Sequence, residues 1–238
     1  MKGKFYGIGV GVGDEENLTL KAAKTLNNVD IIILPEAKSG EGSTAFEIVK
    51  NYLKENTEKV FLEFPMSKDI KLKQEMRKKN ADIISSYLEK GKNVAFLTIG
   101  DPMTYSTYTY VLEHMSDETE VETIAGINSF NSIAARVNIP LVIGDEDLKI
   151  VSLNKNTDIY KEIENNDNVV FMKLSRNFIR LKQALLETNN GDNVVLISDC
   201  GKENEKIYTD IRDLEDIPYF STLILKKGGV NQWKKFIS

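Results

Sequence analysis

The sequence predicts an α/β fold organised as two α/β domains, the N-terminal one built on a mostly parallel sheet. Three observations predict it. Short aliphatic runs such as Ile31-Ile32-Ile33-Leu34 recur along the chain. Amphipathic stretches with apolar residues three or four apart lie between them. The runs are continuously apolar rather than alternating, as strands covered on both faces are. Strands separated by helices imply βαβ units.

The elements follow in order. Phe5–Val10 reads as a strand, and Leu18, Ala22, Ala23 and Leu26 as a helix. Val29–Leu34 is the second strand; Phe46, Val49 and Leu53 mark the next helix; Val60–Phe64 is the third strand. Lys68 to Lys90 reads as a long helix, closed by Gly91 in the position glycine favours past a C-terminus. Val94–Thr98 is a strand and Tyr105–Met115 a helix. The polar run Ser116–Glu120 reads as a linker, which divides the chain into domains 1–118 and 119–238. The second half offers strands at Glu122–Ile124, Leu148–Leu153, Val169–Met172, Val194–Ser198 and Thr222–Leu225. Helical patterns fall at Phe130–Val137, Tyr160–Glu164 and Phe178–Leu186.

Composition narrows the function. The 238 residues carry 31 Lys and Arg against 36 Asp and Glu, a net charge of −5. That balance argues against a general nucleic-acid binder, which needs a basic footprint. One cysteine, Cys200, excludes an internal disulfide framework and a Cys-based zinc cluster. One histidine, His114, excludes a His-rich metal site, so no metal centre is expected. No run approaches the roughly 20 apolar residues a membrane span needs. Met1–Phe5 carries no signal-peptide apolar core. The expectation is a soluble cytoplasmic protein with no membrane or nucleic-acid partner.

Three loops carry the candidate chemistry. Gly7-Ile8-Gly9-Val10-Gly11-Val12-Gly13-Asp14 leaves the first strand where a dinucleotide fold holds phosphate. Its spacing fails: Val12 and Asp14 stand where G-x-G-x-x-G needs glycine, and no G-K-[ST] follows. The run reads as a backbone that bends sharply or lies close to a flat ligand, or as a plain strand-to-helix turn. Gly100-Asp101-Pro102-Met103-Thr104-Tyr105-Ser106-Thr107 follows the fourth strand. It holds a carboxylate at the carboxyl edge of a sheet, where α/β proteins bind ligands, with a hydroxyl cluster behind it. The alternative is a capped helix, with Asp101 as N-cap and Pro102 at the first position. Ala125-Gly126-Ile127-Asn128-Ser129-Phe130 again leaves a strand and enters a helix, capped by Asn128 or Ser129.

In this order and spacing the three segments resemble the tetrapyrrole methylase family, class III S-adenosylmethionine-dependent methyltransferases. Gly7–Leu26 is similar to the family's first signature, Gly100-Asp101-Pro102 to its second and Ala125–Ala134 to its third. Gly-Asp-Pro-Met-Thr-Tyr-Ser-Thr and the tail Pro218-Tyr219-Phe220-Ser221-Thr222-Leu223 resemble the members that methylate C20 of precorrin-2 or cobalt-factor II. Two positions depart from the pattern: Val12 and Ala125 stand where the family usually has proline.

The resemblance implies a ligand cleft between the two domains, S-adenosylmethionine as methyl donor, a tetrapyrrole substrate and a homodimer. Carried over residue by residue, donor contacts fall on Pro35, Gly100, Asp101, Thr104, Asn128, Ser129, Met172 and Ser221. Gly9, Gly11, Gly13 and Asp14 face the substrate. Asp101 is the candidate base for the proton the methylated carbon must lose, or else a donor-positioning group. Tyr105 orients or hydrogen-bonds the substrate. Lys173, Arg176 and Arg180 are the basic residues nominated for its carboxylates. The competing readings are a methylase acting at another ring carbon, a diphthine- or RNA-ribose-type methylase, and a non-catalytic tetrapyrrole or nucleotide binder.

Overall fold

The computed structural model describes residues 2–36, 43–65 and 67–237. It divides into two units, Met1–Asn128 and Ser129–Ser238. The first holds β1 (Phe5–Gly9), α1 (Leu20–Leu26), β2 (Ile31–Glu36), α2 (Thr44–Val49), β3 (Glu58–Glu63), α3 (Ile70–Glu89), β4 (Val94–Thr98), α4 (Tyr108–Leu112) and β5 (Val121–Ile124). Its five strands lie in the order β3-β2-β4-β1-β5, and every pair is parallel.

Strand and helix patterns explain how this sheet is covered. Ile8, Ile32, Leu34, Ala95 and Leu97 pack on Ala22 and Leu26 of α1 and on Ala45, Ile48 and Val49 of α2. The alternate residues Phe5, Ile31, Ile33, Val94 and Phe96 pack on Ala81, Ile84 and Leu88 of α3 and on Tyr108 and Val111 of α4. Period-two side chains thus feed two faces, each closed by helices. Gly7 lets α4 approach: a Cβ there would lie 2.3 Å from the Tyr108 ring.

The expected boundary at 118/119 moves. Glu122–Ile124 falls in the expected second half, but β5 pairs in parallel with β1, Ile8 opposite Ile124. Ser116–Glu120 is therefore a turn inside the first unit. Lys4 lies 3.0 Å from Glu120 and 2.8 Å from Glu122, and Lys21 lies 2.6 Å from Glu122.

The second unit holds α5 (Ser129–Val137), β6 (Leu148–Ser152), α6 (Ile159–Glu164), β7 (Asn168–Met172), α7 (Phe178–Glu187), β8 (Val194–Ser198), β9 (Lys206–Tyr208), β10 (Ser221–Lys226) and α8 (Asn231–Lys234). The strand order is β6-β7-β10-β8-β9. β6 and β7 are parallel, whereas β10 runs antiparallel to both β7 and β8, so this sheet is mixed. Phe130, Ile133 and Val137 of α5 cover one face; Ile159, Ile163, Phe178, Leu181 and Leu185 cover the other. At the amino-terminal end of β7 the fully buried Lys226 meets Glu146 and lies 3.4 Å from Asn168 Oδ1. No helix among the described residues is long and apolar enough to cross a membrane.

Candidate active site

The strand order of the first sheet points to its carboxyl edge. β1 runs to β2 on one side and β4 to β5 on the other, so their connections leave in opposite directions. Open α/β sheets hold their ligands outside the strand ends where such a reversal occurs. Gly9 is level with Thr98 and Ile8 with Ile124, so the loops after β1, β4 and β5 emerge together. These are the three segments singled out from the sequence.

The loops touch backbone to backbone. The Gly100 amide donates to Gly11 O at 2.7 Å and the Val10 amide to Thr98 O at 2.9 Å. A Cβ on Gly9 would lie 2.5 Å from Gly126 N and 2.6 Å from Gly100 O; one on Gly126 would lie 2.1 Å from Gly100 O. Gly100 turns with φ +76°. The room left by the missing side chains of Gly9 and Gly126 is therefore filled by neighbouring backbone. The space beside Gly11 is filled by Asn17, whose Cβ would be 2.7 Å away. Both Gly9 and Gly11 are buried, while Gly13 and Asp14 are half-exposed. Asp14 accepts the Glu16 amide at 2.8 Å and caps the turn Glu15–Asn17.

Asp101 is half-buried. Its Oδ1 accepts the Met103 amide at 2.9 Å and its Oδ2 the Gly126 amide at 3.0 Å. It caps a turn, not a helix: α4 begins only at Tyr108. The expected helix from Tyr105 is shorter because the hydroxyls fold inward. Ser106 Oγ is 2.9 Å from Thr98 Oγ1 and accepts the Tyr108 amide at 3.0 Å. Thr104, half-buried, and Tyr105, 49% exposed, remain at the edge with Met103. Tyr105 has φ +53°, a backbone region that bulky side chains rarely enter. Pro35 lies two residues past Ile33, which pairs with Phe96 of β4, so it too is at this edge. Ile127 is exposed, and Asn128 half-exposed, on the β5 loop.

The remaining candidates lie in the second unit. Ser129 opens α5, and its Oγ is buried with no hydrogen-bond partner among the described residues, as is that of Ser132 one turn later. A buried unpaired hydroxyl costs about 1–3 kcal/mol unless something bonds it. Met172 ends β7, opposite Thr222 and Ser152, and is half-buried. Ser221 opens β10 at the same level, but its hydroxyl is committed. It donates to Pro218 O at 2.7 Å and lies 2.8 Å from Ser198 Oγ. Its structural duty is to fix the turn before β10. Lys173 (φ +58°) and Arg176 are exposed just after Met172. Arg180 is directed elsewhere: its guanidinium donates to Thr157 O at 3.2 Å and to Asn154 O at 3.4 Å, clamping the loop after β6. That loop and Arg180 line a hollow of about 180 Å³ which holds none of the other candidates.

Three features escape a reading of the sequence alone, one at the edge of the first sheet and two in the second unit. Gly126 looks like part of a helix start in the sequence, whereas its amide donates to Asp101 Oδ2. Asp199, buried with φ +51° at the end of β8, bonds Lys202 at 3.1 Å and Asn204 at 2.9 Å. Tyr219 and Phe220 are 60% and 40% exposed, stacked edge to face, with Lys202 Nζ 4.1 Å from the Phe220 ring centre. The signal was present in the tail Pro218–Leu223: two adjacent aromatics outside a strand.

Residues 4–215 match the model of the Tetrapyrrole (Corrin/Porphyrin) Methylases. The chain belongs to the tetrapyrrole methylase family. Among curated relatives of this family member, the "Probable cobalt-precorrin-2 C(20)-methyltransferase" of Methanocaldococcus jannaschii is 38% identical, covering 94% of this chain and 96% of the relative. The "Cobalt-precorrin-2 C(20)-methyltransferase" of Salmonella typhimurium is 32% identical, covering 98% and 99%. A solved cobalt precorrin-4 methyltransferase superposes with a TM-score of 0.74 at 17% identity, covering 94% of each chain. Uroporphyrin-III C-methyl transferase from Thermus thermophilus, complexed with S-adenyl homocysteine, gives 0.68 at 18% identity, covering 94% and 92%. At those identities the solved structures speak for the tetrapyrrole methylase fold.

Proposed function

We propose that this chain is an S-adenosylmethionine-dependent C-methyltransferase that methylates C20 of precorrin-2 or cobalt-factor II in corrin-ring construction. The observation that carries the reading is identity of 32% and 38% over nearly the whole chain to two proteins named for C20 methylation. The convergence of three loops at the reversal point of the first sheet supports it.

When bound, the donor's sulfonium supplies an electrophilic methyl group. The chain's own task is alignment and exclusion of water, the kind of proximity effect that needs no nucleophilic side chain. In the first unit Pro35, Gly100, Thr104 and Asn128 are the donor-holding residues of this proposal, with Asp101 fixing the loops that carry them; in the second, Ser129 and Met172. Gly13, Asp14 and Tyr105 are left to meet the substrate, because Gly9 and Gly11 are closed in by backbone and by Asn17. Lys173 and Arg176 are the cations proposed for its carboxylates. The proposal includes assembly as a homodimer working in the cytoplasm; a monomer mass by light scattering would remove the first part.

The experiment is incubation with methyl-labelled donor and either precorrin-2 or cobalt-factor II, followed by NMR location of the label. A label at C20 is expected. A label at another ring carbon would reassign the substrate position. Absence of S-adenosylhomocysteine binding by calorimetry would turn the reading towards a non-catalytic binder.

A further inference from the structure

Pro102 restrains the backbone of Asp101, and Asp101's carboxylate is held at both ends. Oδ1 receives the amide of Met103 in its own loop; Oδ2 receives the amide of Gly126, 25 residues further on. The two loops already press together, since Gly126 leaves no room for a Cβ against Gly100 O. Both carboxylate oxygens are thus aimed at main-chain donors, each bond in the ordinary 2.7–3.2 Å range. Beyond these contacts the two loops present Met103 and Thr104 on one side and Ile127 and Asn128 on the other.

We propose that Asp101 is a positioning residue: its carboxylate staples the loop after β5 to the loop after β4 and serves the reaction through that geometry rather than by taking the substrate's proton. The catalytic half of this statement rests on the methyl-transfer reading; the staple itself does not. A charge-assisted bond from a carboxylate to a backbone amide is stronger than a neutral one, which suits a joint between loops that come from distant parts of the chain.

The test has three arms, using the full chain and Asp101→Asn. The first is amide hydrogen exchange at Gly126 and its neighbours. The wild-type Gly126 amide is expected to be protected, and exchange over residues 125–128 to quicken at least about tenfold in the variant. An unprotected wild-type amide overturns the staple whatever the reaction proves to be. The second is calorimetric binding of S-adenosylhomocysteine, expected to weaken about tenfold in Asp101→Asn. Unchanged affinity overturns the positioning role. The third is the pH profile of kcat. The acid limb is expected to keep its midpoint in Asp101→Asn; a flattened acid limb would make Asp101 the base and overturn the inference. Asp101→Ala serves as a second variant, with circular dichroism confirming that each folds. A wild-type chain that binds no S-adenosylhomocysteine defeats the methyl-transfer reading, while the exchange arm still decides the staple.

Discussion

Gly9 and Gly126 meet without side chains: a Cβ on Gly126 would lie 2.7 Å from Gly9 Cα, and one on Gly9 would lie 2.5 Å from Gly126 N. The contact joins the end of β1 to the loop after β5. Gly9→Ala must push both that loop and Gly100 away from the end of β1. Overpacking of this kind destabilises by about 1–3 kcal/mol. A lower urea midpoint is expected, together with weaker S-adenosylhomocysteine binding by calorimetry. Unchanged stability would mean that the loops part freely.

Ser221 separates structure from binding. Its hydroxyl bonds Pro218 O and Ser198 Oγ inside the protein. Ser221→Ala leaves the buried Ser198 hydroxyl short of a partner, at about 1–3 kcal/mol, and releases the carbonyl of the exposed Pro218. The expected outcome is a less stable protein whose S-adenosylhomocysteine affinity stays within about twofold of wild type. A large loss of affinity with unchanged stability would return Ser221 to the donor site.

Glu122 ties the stability of the first unit to pH. Lys21 and Lys4 hold its carboxyl down to about 2, from an ordinary 4.5. A depressed folded value adds stability above the unfolded value, and that stability is lost as pH falls through the folded one. The difference in urea midpoint between wild type and Glu122→Gln is therefore expected to be full at pH 6. It should shrink between pH 4.5 and about 2. Because the group is near solvent, 1 M salt should shrink it as well. A difference that ignores pH would discount the pairing.

Cys200 is set against reactivity. Burial, and then the nearby Glu205 carboxylate, push its thiol up to about 11. The thiolate is the reactive form, so at pH 8 the native thiol should react with a disulfide reagent at least about tenfold more slowly than the urea-unfolded chain. Glu205→Gln should speed it modestly, since burial, the larger cause, remains. Fast native labelling would contradict the assignment.

The sequence made the first unit's strands readable because each is a continuous apolar run with a helix after it. The same logic left gaps where pairing is non-local. Nothing in Ser116–Glu120 says that the following strand returns to β1 rather than opening a new domain. β9 is three residues with half-exposed or exposed side chains, and α8 is four residues, too short for a period to register. β10 reads like any other strand; its antiparallel direction depends on the chain path, not on its composition. At the site, the Gly-Asp-Pro spacing marked Asp101, but its bond to Gly126 arises only once β4 and β5 flank β1. Ser221 looked available because a hydroxyl's partners are not written in its neighbours.

The placement of β1 bears on how the protein emerges from the ribosome. Of the described strands β1 is made before the others, and it ends between β4 and β5. Both of its edges therefore wait for strands that begin at residues 94 and 121. At about 5–20 residues per second, synthesis takes several seconds to supply the first of them. Through that interval the Phe5–Gly9 strand has two bare edges, the condition that invites pairing with another chain. Gly7 and Gly9, which later let α4 and the loops close in, leave this waiting strand only Phe5, Tyr6 and Ile8 as side chains that could grip a stranger.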